Sequence, residues 1–231
     1  MGAMISDSLS AGDYARAGKL LDKGPAAYGR GNKLLYLLDK GYVLHAGGDY
    51  RGSIAAFEQA KQEYDALYSL SLSKEAATWL VNDYLAPYRG EDFERVLVNI
   101  FQAVNYCMLG DFPGALVEAR QVDERLRLIN SRYNQGEKNV YKEDAFARLL
   151  SGLLYETEKN GRGENDAYIA YAKAVQIYEE DYKTYYGLGV PLLLKHNFLT
   201  AAQWMGSREA MEAGIKFKGE DFLPLPEKAK K

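Results

Sequence analysis

The chain has 231 residues, 47 % of them apolar and 26 % charged, with a formal net charge of −3 from 29 basic and 32 acidic side chains. That balance supplies ample core material, and the mixed charges leave no basic stripe for nucleic acid and no lysine run for an anionic lipid surface. The single cysteine, Cys107, excludes an internal disulfide and a multi-cysteine metal site, and no stretch approaches the roughly 20 apolar residues of a membrane span.

In chain order, Met1-Gly2-Ala3-Met4 reads as a cloning remnant, so that the folded domain is expected over 5–216 and a flexible tail over 217–231. Helical spacing runs from Asp13 to Leu21 and stops at Gly24-Pro25. A glycine-rich turn leads to a helix from Lys33 to Ala46; Gly47-Gly48 breaks it, and Tyr50 to Tyr68 forms its partner. Ser73 with Ala76 to Leu85 predicts a further helix, stopped by Pro87. Long helices follow at Glu91 to Leu109 and Phe112 to Arg132, then a polar loop around Asn134–Asn139. The last predicted helices are Lys142–Lys159, Asp166–Glu180, Tyr182–Lys195 and Phe198–Ala213, with Asn160–Asn165 as a flexible link between the first two.

One phrase recurs at the turns: Gly12-Asp13-Tyr14, Gly48-Asp49-Tyr50 and Gly110-Asp111-Phe112. The first two copies lie 36 residues apart, near the period of about 34 residues that marks a helix–turn–helix repeat. In the best copy Gly41 is followed by Leu44, the Gly48-Asp49 turn, Ser53, Phe57 and Ala60, a spacing similar to the tetratricopeptide repeat. A second copy reads Ala103, Tyr106, Ala115, Ala119, Val122, and a third Gly152, Tyr155, Ala167, Tyr171, Ala174 with three extra residues in its turn. The expected fold is all-α: a tetratricopeptide-like, right-handed solenoid of helical hairpins, about ten helices with degenerate repeats.

Longer strings carry a closer likeness: Tyr36-Leu37-Leu38-Asp39-Lys40-Gly41-Tyr42-Val43-Leu44-His45, Glu91-Asp92-Phe93-Glu94-Arg95-Val96-Leu97-Val98-Asn99, the stretch from Gly110 to Arg120, and that from Asp144 to Glu156. Over roughly residues 35 to 180 the chain resembles an uncharacterised family of bacterial envelope proteins with tetratricopeptide-like repeats, usually made as lipoproteins. The resemblance implies export and a lipid anchor upstream of this segment, hence a periplasmic place, and it implies no catalytic activity.

The residues point away from chemistry as well. His45 and His196 lie far apart without a partner ligand at helical spacing, so no metal, cofactor or catalytic residue is expected. His45 is expected to cap the carbonyls at the end of its helix, and Cys107 to be a buried structural thiol. Acid pairs Glu91-Asp92 and Glu143-Asp144 stand at helix starts, where the dipole favours them. Arg120, Arg125 and Arg127 with Glu118, Asp123 and Glu124 read as a solvated face.

What remains is a binding surface. The first helix of each repeat would line the inside of a superhelix, and here it offers Leu97, Ile100, Phe101, Val104, Cys107 and Met108, then Phe146, Leu149, Leu150 and Leu153. Helices so apolar are expected to be buried on every side, with the Ala76–Leu85 segment or the C-terminal pair filling the concave face. If that face is open, Phe101, Met108, Phe146 and Leu150 are the candidate partner-binding residues, with the loop Tyr88, Arg89, Glu91 as a second site. The expected function is a non-enzymatic interaction or scaffolding module of the bacterial envelope, binding a protein or peptide through apolar and tyrosine contacts. A cytoplasmic peptide adaptor is the alternative, and a hydrolase a distant third.

Overall fold

A computed structural model of the chain describes residues 2–72, 87–132, 144–158 and 161–217. The fold is all-α: every regular element among the described residues is helical. The residues fall into two compact units, Met1–Glu118 and Ala119–Lys231. The predicted helix at Ala76–Leu85 and the polar loop around Asn134–Asn139 lie outside the described residues.

The first unit opens with α1 (Gly2–Ser10), α2 (Tyr14–Leu21) and a single 3₁₀ turn (Pro25–Tyr28), followed by α3 (Lys33–Ala46), α4 (Tyr50–Leu72), α5 (Asp92–Met108) and the start of α6 (Phe112–Arg132). The repeated turn phrase has one mechanism in all three places. Gly12, Gly48 and Gly110 adopt φ of 70°, 84° and 76°, a left-handed conformation that costs glycine nothing. The amide of the following aspartate then reaches back to the carbonyl of Ser8, Leu44 or Tyr106 at 2.8–2.9 Å, closing a Schellman turn. The same aspartate caps the next helix, accepting from the amides of Arg16, Gly52 and Gly114 at 2.9–3.0 Å. Three residues thus end one helix and start another.

Within the α3/α4 hairpin, Gly41 is pressed against the Phe57 ring so closely that an added Cβ would lie within 2.7 Å of three ring carbons. Around that contact Leu34, Leu37, Ala60, Tyr64 and Leu67 form the core, which Val98 of α5 joins. A smaller cluster of Ile5, Ala17, Leu21 and Val43 seats α1 and α2 on α3.

Helix α5 is held by polar groups. Asn99, Gln102 and Asn105, three residues apart, are all at most 1 % exposed. Asn105 donates to Ser53 Oγ at 2.8 Å, and Ser53 donates to the Gly41 carbonyl at 2.7 Å. Gln102 donates to Glu58 and Asn99 to Glu118, each at 2.6 Å, while Lys61 bridges Glu58 and both oxygens of Glu118. Glu118, expected on a solvated face, is 4 % exposed. Its charge is tolerated there because Lys61 and Asn99 satisfy it. Arg127 and Glu124 do lie on an exposed face, as expected, and pair there at 2.7 Å.

The second unit contains the remainder of α6, then α7 (Ala145–Tyr155), α8 (Gly161–Ile177), a π-turn (Tyr178–Tyr182), a single turn α9 (Lys183–Tyr186), α10 (Leu192–Met205) and α11 (Ser207–Lys216). The α7/α8 hairpin repeats the first unit's device, with Gly152 against the ring of the fully buried Tyr171. Asp144 caps α7 by accepting from the Ala147 amide at 2.8 Å. Helix α8 begins five residues before its expected start: Gly163 is buried against the Tyr155 carbonyl and Glu158, and residues 161–165 of the expected link belong to the helix. The last helices also differ from expectation. The chain breaks at Gly187–Pro191 and again at Gly206, because a left-handed Gly187 and Pro191 cannot continue a helix, whereas His196-Asn197 sits inside one. Phe217, expected in the tail, is 4 % exposed and meets Phe198 edge-on at 6.3 Å.

Gly41→Ala is expected to cost about 1–3 kcal/mol through overpacking against Phe57. Gly18→Ala, where a Cβ meets nothing within 4 Å, should gain up to about 1 kcal/mol from helix propensity. Chemical denaturation of the two variants measures the contrast. Lys61→Met should cost about 3 kcal/mol or more by stranding Glu118, with much of it recovered in the Lys61→Met/Glu118→Leu double variant in the same assay.

Candidate functional site

Helices α3 and α5 do not close on one another along their whole length. Between them lies a groove of about 300 Å³. Its floor is Phe57 of α4 with Leu38, Val98 and Phe101, and its rim is Tyr42, Phe93 and Leu97. The rim residues are 44 %, 39 % and 37 % exposed, so the groove faces solvent. Phe101 is its aromatic centre, stacked on Phe57 at 5.9 Å and meeting Tyr42 at 5.4 Å and His45 at 4.9 Å edge-on. The expectation that α5 is buried on every side therefore fails for Leu97 and for Met108, which is 58 % exposed. The buried side of α5 carries its asparagine and glutamine row together with Val96, Val98, Ile100 and Ala103, and Phe93, Leu97 and Met108 are left facing outward.

Two carboxylates stand in the groove, Asp39 from α3 and Glu94 from α5. Each is oriented by tyrosine. Tyr28 donates to Asp39 Oδ2 at 2.7 Å, and Tyr88 donates to Glu94 Oε2 at 2.7 Å. Glu94 also accepts the Glu91 amide at 2.8 Å, the reciprocal arm of a capping box at the start of α5. Burial raises Asp39 above its ordinary value of 3.8, opposed by the Tyr28 bond and reinforced by the charge of Glu94. Tyr28 and Tyr88 are pushed up in turn, by burial first and then by the carboxylates they bind.

The sequence candidates divide accordingly. Phe101 lines the groove, and Tyr88 serves it by holding Glu94 while its own amide bonds the Gly31 carbonyl at 3.1 Å. Glu91 is the helix cap, and Arg89 is an exposed loop residue. Met108 lies two turns beyond Phe101, outside the lining. Phe146 and Leu150 belong to the second unit, the former 56 % exposed and the latter half-buried. His45 does not cap its helix with its ring; Nδ1 lies 2.6 Å from Asn105 Oδ1, because the polar row of α5 offers a partner nearer than the helix end. Cys107 is half-buried, and that burial raises its thiol.

The second unit has its own raised acid, Glu156, whose burial is offset by a 2.5 Å bond from the Tyr171 hydroxyl and by the charge of His196. That bond belongs to the α7/α8 seam. Among the described residues no cluster of three or more His, Cys, Asp or Glu is arranged to hold a metal, and no helix is long and apolar enough to cross a membrane. Comparison with protein-family models, with curated proteins and with solved structures gives no match.

The raised Asp39 has a thermodynamic signature. Its folded value exceeds its unfolded one, so across that interval the folded chain holds a proton that the unfolded chain has released, and stability falls as pH rises. Asp39→Asn, which still accepts from Tyr28, should therefore melt higher than the parent at neutral pH. The difference should vanish below about pH 3, as calorimetric melts across pH will measure.

Proposed function

We propose that this chain is a non-enzymatic protein-interaction module, a tetratricopeptide-like stack of helical hairpins that receives a segment of a partner protein in the groove between α3 and α5. The observation that carries the reading is the groove itself. Tyr42, Phe93 and Leu97 present apolar surface to solvent above an aromatic floor, on consecutive first helices of the repeat pattern. The shared Gly–ring contact at Gly41/Phe57 and Gly152/Tyr171 and the three identical Gly-Asp turns support the repeat reading. The resemblance to lipid-anchored envelope proteins supports a periplasmic place for the module, with the partner another envelope protein.

A photo-reactive amino acid at position 97 tests the reading in cells, followed by titration of the crosslinked partner segment as a synthetic peptide. Leu97→Glu should weaken that peptide at least about tenfold, about 1.4 kcal/mol, without lowering the melting temperature. Phe146→Glu should leave the affinity unchanged. Binding that survives Leu97→Glu and is lost in Phe146→Glu would move the site to the second unit.

A further inference from the structure

The groove carries charge that nothing in the described fold neutralises. Asp39 and Glu94 each commit one carboxylate oxygen to tyrosine, while Asp39 Oδ1 and Glu94 Oε1 take no hydrogen bond from a described residue. Neither acid is ion-paired with a described residue, and the nearby cations are turned to other work. Lys33 pairs with Glu63, Lys40 lies over the Tyr36 ring, and Arg95 stacks over Tyr64 while donating to the Tyr64 carbonyl. Two acids held close in a half-buried apolar setting repel one another, and a fold that needed only packing there would be better served by amides or hydrocarbon.

Resting on the interaction-module reading above, we infer that the partner segment is an amphipathic one that places a lysine or arginine between Asp39 and Glu94 and its apolar side chains on the floor at Phe101 and Phe57. The chemistry fits at each atom. An ammonium or guanidinium donates several N–H groups, and the two uncommitted carboxylate oxygens accept them as charge-assisted bonds. The stem of such a side chain is apolar and lies along apolar surface while its head reaches polar groups. Tyr42, Phe93 and Phe101 line the same groove, and aromatic rings attract a cation that reaches their faces. At about 30 Å³ per water, the volume equals about ten waters, room for one long basic side chain and an apolar neighbour. The tyrosine hydroxyls fix both carboxylates before the partner arrives, so little ordering is left to binding. A partner cation favours the charged form of Asp39 and so opposes the burial and the Glu94 charge that raise it, and binding and deprotonation of this acid reinforce each other.

The test uses the full chain and three short helical peptides with one shared apolar face and lysine, glutamine or glutamate at the polar position facing the acids, titrated calorimetrically at low and high salt. The lysine peptide should bind about tenfold or more tighter than the glutamine peptide, with the glutamate peptide weakest, and salt should narrow the gap. Asp39→Asn and Glu94→Gln preserve the tyrosine bonds and the cap. Each should shrink the lysine preference, and together they should abolish it while glutamine-peptide binding persists. Melting curves verify that both variants are folded. Equal affinity for the lysine and glutamine peptides, or a preference unchanged in the double variant, overturns the charged-partner inference and leaves the apolar groove standing. Failure of all three peptides to bind overturns both readings.

Discussion

At Gly41 the backbone of α3 lies directly against the ring of Phe57, and this closeness sets the distance between the two helices of the hairpin. The approach brings Ser53 within reach of the Gly41 carbonyl, and Ser53 in turn receives Asn105 from α5. A single absent methyl group therefore fixes the separation of α3 and α4 and the docking depth of α5. The second unit uses the same arrangement with Tyr171 over Gly152, and there the ring's hydroxyl carries the contact onward to Glu156.

The groove follows from how α5 is held. An amphipathic helix usually buries only its apolar face, but α5 buries Asn99, Gln102 and Asn105 beside Val96, Val98, Ile100 and Ala103, and the three amides meet Glu118, Glu58 and Ser53. The amide donors of all three find partners in one register, with only the Gln102 oxygen left unpaired among the described residues, so they specify the helix's rotation more sharply than aliphatic packing does. With the rotation fixed, Leu97 and Phe93 have nowhere to go but the rim. Surface that another fold would bury is thus held open by hydrogen bonding elsewhere on the same helix.

Much of this was legible in the chain. The all-α class, the bounds of α3 and α6, the three aspartate-capped turns and the Gly41–Phe57 and Gly152–Tyr171 pairs all follow from spacing and turn chemistry. Phe101 was legible as an inward-facing aromatic. Asp39 and Glu94 were not, for different reasons: Asp39 ends the apolar run Leu34–Leu38 beside Lys40 and reads as half of an ordinary surface charge pair, and Glu94 three after Glu91 is fully explained as a helix cap. The row Asn99, Gln102, Asn105 was visible as a three-residue polar period, yet the apolar residues between its members dominated the reading. The C-terminal helices were misplaced because apolar periodicity continues through Gly187–Pro191, where backbone geometry stops the helix.

The tyrosines that hold the two groove acids have an optical consequence. A phenol donating to a carboxylate absorbs at longer wavelength and readily loses its proton on excitation, which dims its emission. Tyr28 and Tyr88 are both in that state. A cation held by the other oxygens of Asp39 and Glu94 withdraws charge from both acceptors and so weakens the pull on both phenols while their bonds stay in place. Occupancy of the groove is thereby tied to the absorption of two of the chain's nineteen tyrosines.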